Sequence, residues 1–502
     1  MSRLSEEQIL EDLWLGNLED GKHEIEILSQ KEELLGKIYS ALFKIHYGDV
    51  LSASDIIVSI LENNVDRLDP SDKLKAEIVA VRILLLRYQN EAALEKLTKI
   101  FVQFDNNKAQ KERIMVIWET KAYYLQSHLH MRQAEFQLSI EKLKQGINLI
   151  EDLEINLFEA TLYNNLGNVY SEIGDTEQAE QLINKSLEIA LKVENAPLCC
   201  QYGNLSDIYM RKGDLYEALR YGEDALKIVE QRCNPASIAC YQEILGNIYF
   251  KMGNNERALQ LIETGKDTRV RIQMYLSTAF DLRDLIRIEL DRKNLDGANL
   301  YYENLVKLKN QHQDNDWIEY FCKFGEALIL MQNKRATNIA KSQEIFTGLL
   351  HFTKLDNYEK IEISLNLCNL LIYELKIADQ EEVVNELEEM IDQIYKIASE
   401  LQSTPLLAEI TGIRAKVKLI MGNIDEALEL VEDATLSLHD IGQARLKERI
   451  SAFGAEIKDN YLEWKQIIAN NTSFSEKIEK SLIENYIASS IKQRTEYQYF
   501  PT

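Results

Sequence analysis

Turn-forming residues are scarce in this chain: 20 Gly and 5 Pro in 502 residues. That is about 5%, against roughly 12% in average usage. Sandwiches, propellers and barrels need frequent turns, so this scarcity argues against them and for long helices joined by short loops. Basic charge is also in deficit, with 57 Lys and Arg against 82 Asp and Glu, a net charge of −25. Duplex nucleic acid requires a dense Lys/Arg footprint, and anionic membranes attract bases, so neither is expected as a partner. No apolar run approaches the ~18 residues of a membrane span, and the stretch from Ile78 to Leu86 is interrupted by Arg82. The start, Met1 to Glu7, is polar and lacks the apolar segment of a signal peptide. Six cysteines without framework spacing point to a reducing, cytoplasmic setting.

What the chain does have is apolar material and periodicity. Hydrophobic residues make up 45% and charged residues 28%, ordinary values for a folded protein. The length implies several domains or one array of repeats.

Three segments align without gaps. The first runs Tyr163-Asn164-Asn165-Leu166-Gly167-Asn168-Val169-Tyr170, followed by Gly174 and Ala179. The second runs Tyr202-Gly203-Asn204-Leu205-Ser206-Asp207-Ile208-Tyr209, then Gly213 and Ala218. The third holds Leu245-Gly246-Asn247-Ile248-Tyr249, then Gly253 and Ala258. A small residue recurs in a wider register through Ala53, Ala93, Ser139, Ala179, Ala218, Ala258, Ala298, Ser342, Val383 and Ala427.

Each unit reads as two helices. Tyr163, Leu166, Tyr170 and Ile173 share one helical face, and Ala179, Leu182, Ile183, Leu187 and Ala190 share another. Gly167 allows a neighbouring helix to come close, and Gly174-Asp175 ends the first helix. Such a pair cannot bury its apolar stripe alone and must stack on the next pair. Pro70, Pro197, Pro235 and Pro405 fall between the predicted repeats.

The spacing Leu-Gly-x-x-Tyr, then Gly, then Ala resembles the tetratricopeptide repeat. The ~40-residue period is similar to the long-repeat variety of kinesin light chains and Pins-type adaptors. The resemblance implies an all-α, right-handed α-solenoid superhelix of stacked antiparallel helix pairs. It is strongest over 157–265 within an expected array at 33–440. Residues 1–32 are expected to form a helical lead-in, with Ser5 and Gln8 as a capping box. Residues 441–502 are expected to form capping helices and a short polar tail.

Motifs for chemistry are missing. Thr264-Gly265-Lys266-Asp267 lacks the upstream glycine and the Ser/Thr of a phosphate loop. His128 and His130 diverge around a helix and cannot share a metal. Cys200 and Cys240 occupy equivalent repeat positions, and buried small side chains explain them better than a metal. No catalytic residues, metal site or cofactor are expected.

By the resemblance, the first helix of each pair lines the inner surface. The inward positions then hold Asn165, Asn168, Asn204, Asp207 and Asn247, with Asn369 as a distant member. Carboxamides offer donors and an acceptor to a peptide backbone; the alternative is that they bridge neighbouring helices. Residues 266–293 carry seven bases and five acids. Within them Arg283 and Arg287 share a helical face, and Arg211 and Lys251 belong to the same expected channel. An anion would relieve that crowding, as would pairing with Asp284, Asp291 and their neighbours. The stretch from Asp379 to Asp392 holds seven acids and no base. It reads as a solvated face, or as a contact for a basic partner. The expected function is a non-enzymatic adaptor or scaffold that binds a peptide or protein partner. A peptide-sensing regulator of the Rap type is the alternative, and an unfamiliar helical enzyme comes after it.

Overall fold

The computed structural model describes residues 2–493, apart from 16–17, 47–48, 88, 107–111, 134, 152, 154–155, 194–195, 197, 232–234, 314, 353–354, 356, 402 and 439–443. The array boundary expected at 440, the joint at Pro197 and the tail at 495–502 lie outside the described residues. Within them there are 26 α-helices and no strand. From α1 to α24 each packs on the next.

The pairs are α1 (Ser2–Leu15) with α2 (Leu18–Lys31), α3 (Glu33–His46) with α4 (Val50–Asn63), and α5 (Pro70–Leu86) with α6 (Asn90–Asn106). Then come α7 (Arg113–Arg132) with α8 (Phe136–Ile150), α9 (Asn156–Ile173) with α10 (Thr176–Ala190), and α11 (Cys199–Lys212) with α12 (Leu215–Gln231). The middle of the molecule is α13 (Pro235–Lys251) with α14 (Asn255–Arg271), α15 (Tyr275–Asp291) with α16 (Leu295–Gln311), and α17 (Asp316–Gln332) with α18 (Ala336–Leu350). The series continues with α19 (Asn357–Ala378) and α20 (Glu381–Glu400), then α21 (Thr404–Met421) and α22 (Ile424–Ser437). It ends with α23 (Ala444–Asp459), α24 (Tyr461–Ala469), α25 (Phe474–Ser481) and α26 (Ile483–Gln493).

The small-residue register falls on the fourth residue of α4, α6, α8, α10, α12, α14, α16 and α22, whereas Ser342 is the seventh of α18 and Val383 the third of α20. Nine of its members are 0% exposed, and Val383 is 5% exposed. Within the pairs the turn is built alike. Gly174, Gly213, Gly253 and Gly422 adopt positive φ at the end of the first helix. The next residue is Asp175, Asp214, Asn254 or Asn423, and its carbonyl accepts the amide of the small residue four positions on. Asp175, Asp214 and Asn254 also cap the second helix with their side chains. Lys293 occupies the glycine position before Asn294 with φ of 60°.

Close approach follows from these positions. A Cβ on Gly167 would lie 2.6 Å from Ile183 Cγ1 and 2.9 Å from the Ala179 carbonyl. In the next repeat Ser206 replaces that glycine, and its hydroxyl donates to the Ala218 carbonyl at 2.6 Å. Ser342 donates likewise to the Ala327 carbonyl at 2.9 Å. Pro70 and Pro235 begin their helices and Pro405 stands second in its own, where no intrahelical amide is needed. One expectation fails: α1 already runs from Ser2, so Ser5 lies inside the helix and not at its cap.

The first helices of the central pairs form the inner layer. Residues 277–289 of α15 are buried without a break, whereas α12 and α16 bury only a stripe. The array also turns back on itself. Gly174, after α9, abuts the Pro405 ring and Ser403 of α21. One apolar core joins residues of α1 to α9 with residues of α19 to α21 and α25 to α26.

Both ends pack on first helices. Glu6 of α1 pairs with Lys75 at 2.6 Å and accepts from the Tyr39 hydroxyl at 2.7 Å. Glu7 pairs with Arg113 at 3.2 Å. At the other end α25 and α26 pack on α19 and α21. Lys492 of α26 reaches Asp291 at 3.1 Å and lies 4.3 Å from the Phe250 ring centroid.

Two substitutions test the turn and the crossing. Gly167→Ala should lower stability by about 1–2 kcal/mol, because the fully buried Ile183 cannot yield to the new methyl. Lys293→Gly should raise it by about 1 kcal/mol by removing a side chain from left-handed backbone. Urea denaturation followed by circular dichroism reads both, and opposite signs for the two are the expected result.

Candidate functional site on the inner helices

The asparagine row lies on α9, α11 and α13, which occupy equivalent places in three successive pairs. Asn165, Asn168, Asn204 and Asn247 are all buried. The Asn165 amide donates to the Thr161 carbonyl of its own helix at 2.7 Å. Asp207 accepts from Arg211 Nε at 2.7 Å and from the Ser171 hydroxyl at 3.4 Å. Arg211 Nη2 continues to Glu172 at 2.6 Å, so a polar chain stitches α9 to α11. Asn247 differs from the others. It is 1% exposed, and neither its carboxamide nitrogen nor its oxygen has a hydrogen-bond partner. Asn369 is half-buried on α19, and nearby Asn366 donates to the Glu362 carbonyl at 2.9 Å.

The expected anion-contacting residues separate into two places. Arg211 belongs with Asp207 and Glu172. Lys251 is half-buried in the last turn of α13. Arg283 and Arg287 are buried on α15, and both reach Asp284 Oδ1, at 3.0 and 3.2 Å. Arg287 also pairs with Glu362 of α19. Aromatic faces complete the setting: the Arg283 guanidinium lies 4.0 Å from the Phe280 centroid, and Arg287 lies 5.2 Å from that of Phe324. Pairing within the chain therefore relieves the like-charge spacing of Arg283 and Arg287.

A second ionic joint escaped the sequence reading. Arg269 of α14 sits between Glu243 of α13, at 2.5 Å, and Asp281 of α15, all three buried. Burial pushes both carboxyls upward against the pull of Arg269. The signal lay in the sequence as charged residues on an otherwise apolar helical face. The base-rich stretch is thus largely neutralised from within. In the acidic stretch, Glu388 pairs with Lys418 at 2.5 Å and Asp392 with Arg414 at 3.2 Å.

His128 and His130 do part company as expected. His128 meets Tyr124 edge-on, with centroids 4.6 Å apart, and His130 Nδ1 lies 2.6 Å from Glu135. Burial pushes the Cys240 thiol up to about 12, far from the thiolate that binds metal. Among the described residues no cluster of His, Cys, Asp and Glu suits a metal ion, and no helix is long and apolar enough to cross a membrane.

Helix pairs of this length, a small residue at each crossing and an inner layer of first helices define a helical-repeat protein. The family model of the tetratricopeptide repeat matches residues 119–192 and 198–267. Those two segments are therefore tetratricopeptide repeats. A search of curated proteins finds no match. Solved structures similar to it include a Rap protein complexed with competence and sporulation factor, at 13% identity and TM-score 0.47, covering 80% of this chain and 99% of that one. The apo form of the quorum sensor NprR from B. thuringiensis is 15% identical with TM-score 0.46, covering 74% and 99%. Yeast Tom70 is 16% identical with TM-score 0.43, covering 95% and 92%.

Beside the row, burial and then the charges of Arg132 and Arg82 push the His128 imidazole down to about 3. Between that value and the unfolded value near 6.5, the native state binds fewer protons than the unfolded chain. Stability is therefore full above about pH 6.5 and should fall by about 1.4 kcal/mol per pH unit below it for this one group. Urea midpoints measured from pH 7.5 to 5 should show a shallower decline for His128→Gln than for the parent chain.

Proposed function

We propose that the chain is a cytoplasmic, non-enzymatic adaptor or scaffold that binds a peptide segment or partner protein along its inner helices. The observation that carries this reading is Asn247, whose carboxamide is buried with both polar atoms unpaired. A peptide group supplies one donor and one acceptor, the complement such a carboxamide lacks. Asn168 and Asp207 precede it in the same register, with Asn165 and Asn204 one turn earlier on their helices, so an extended backbone would meet a polar side chain in each repeat. Each bond contributes about 1 kcal/mol net, so four give only roughly millimolar affinity, and ligand side chains must supply the rest. Arg211, Lys251, Arg283 and Arg287 would serve acidic ligand groups by exchanging internal carboxylates for external ones. In this reading 33–440 is the binding array, 1–32 its lead-in and 441–502 its capping end.

The contact of Gly174 with Pro405 favours a second reading, a Rap-type regulator that changes shape when it senses a peptide. In this reading peptide binding parts the helices, and the spacing across that contact changes on binding.

A peptide array and a pulldown test the first reading, using a variant with Asn165, Asn168, Asn204 and Asn247 all changed to Ala. Loss of capture with an unchanged circular dichroism spectrum is expected, and capture of every partner at parental strength would sink it. Small-angle scattering with a captured peptide separates the two readings: a changed radius of gyration supports the regulator, and an unchanged one supports the rigid adaptor.

A further inference from the structure

The last two described helices lie where a ligand of the inner helices would lie. α25 and α26 each pack against both α19 and α21, the first helices of successive pairs. Ile478 of α25 is buried, as are Ile483, Tyr486, Ile487 and Ser490 of α26. The four on α26 fall at spacings of three and four, the stripe of an amphipathic helix. The isoleucines and Tyr486 join the same apolar core as Leu375 of α19 and Ile413 of α21. Charge fixes the ends. Lys376 of α19 pairs with Glu484 in the first turn of α26 at 2.9 Å, and Lys492 in its last turn pairs with Asp291 of α15 at 3.1 Å. An acid at the start and a base at the end also suit the helix dipole. Where α25 ends, the buried Lys416 ammonium of α21 donates to the Ser481 carbonyl at 2.6 Å.

The fit is incomplete. Tyr486 Oη and Ser490 Oγ are buried with no hydrogen-bond partner. Gly412 of α21 makes room for the tyrosine, since a Cβ there would lie 2.5 Å from its hydroxyl oxygen. Asn471, before α25, and Leu482, between the two helices, adopt φ of 52° and 53°. Residues other than glycine disfavour that left-handed backbone. Docking therefore sets two orphaned hydroxyls and two strained joints against an isoleucine stripe and a few ion pairs. A helix with the same stripe and end charges, but without those hydroxyls and joints, fits the surface better.

We propose that the surface formed by α19 and α21 is a docking site for an amphipathic helix of a partner protein, which displaces α25 and α26 from it. The resident helices define the partner's chemistry. Its helix is apolar at the places of Ile483, Tyr486, Ile487 and Ser490, with a carboxylate in the first turn and a base about two turns later. This surface is separate from the asparagine row on α9, α11 and α13, and its test does not depend on binding there.

The test is fluorescence anisotropy with a fluorescein-labelled peptide of residues 474–493 carrying Tyr486→Phe and Ser490→Ala, titrated with the full chain. The resident helices compete at a roughly millimolar effective concentration, so the parent chain should bind the peptide weakly. Ile487→Asp in the full chain spoils its own α26 and leaves α19 and α21 intact, and should tighten binding roughly tenfold or more. Lys492→Glu, which breaks the pair with Asp291, should tighten it about threefold and keeps the test open if Ile487→Asp fails to fold. Charge exchange locates the site. Lys376→Glu added to either variant should weaken binding about tenfold, and Glu484→Lys in the peptide should restore it. Binding no tighter in either variant than in the parent chain would overturn the proposal, as would binding indifferent to the exchange at Lys376. A parent dimer in light scattering that Ile487→Asp dissolves would also overturn it, because the occupant would then be a second copy of this chain.

Discussion

Two helices can lie side by side only as closely as the side chains between them allow, and this chain settles that distance at one position per pair. A positive-φ residue ends the first helix, an Asp or Asn usually opens the second, and a small residue follows four positions later at the crossing. Where Gly167 faces Ala179, the gap is too narrow for even one more methyl. Where Ser206 or Ser342 stands at a crossing, its hydroxyl bonds across to a carbonyl of the paired helix and uses the same narrow space. The layer of inner helices, the enclosure of α15 and the placement of every buried charge depend on that repeated spacing.

The pair architecture was legible because it is local. A residue and its partner at the crossing are about a dozen positions apart, so the small-residue register and the three aligned segments carry it directly. An inner position for the asparagine row was expected only through the family resemblance. Its burial was not legible, because that depends on helices one or more pairs away. Partners of charged residues were harder still. Arg287 pairs with Glu362 and Lys492 with Asp291, contacts created by the curvature of the whole array. The seven bases over 266–293 left open an external anion or pairing within the chain, and Arg269, Arg283 and Arg287 are buried against carboxylates. The orphaned state of Asn247 is likewise set by neighbours on other helices.

The interior of this array therefore holds several buried charges. Desolvation penalises each buried charge, and pairing repays it only where geometry is good and the remaining polar atoms are satisfied. The Arg269 joint links α13, α14 and α15 through one guanidinium, which limits how those helices can shift against one another. Asn247 is the opposite case, a polar group buried without compensation. Leaving a buried donor or acceptor unmade costs about 1–3 kcal/mol, and a ligand able to complete one recovers that cost.

An open array of repeats unravels from its ends, since each pair is held only by its neighbours. Contact between Gly174 and Pro405 changes that behaviour. A contact between places so far apart in the chain makes pairs α9–α10 through α21–α22 partners in one closed circuit. Loosening a single joint then leaves the helices on either side tethered from the other direction, so fraying is suppressed. The cost is kinetic. A long stretch of chain must be ordered before that contact forms, which raises the contact order above that of a simple stack and slows folding accordingly. The molecule exchanges the piecemeal softness of a linear array for the collective melting of a globular domain.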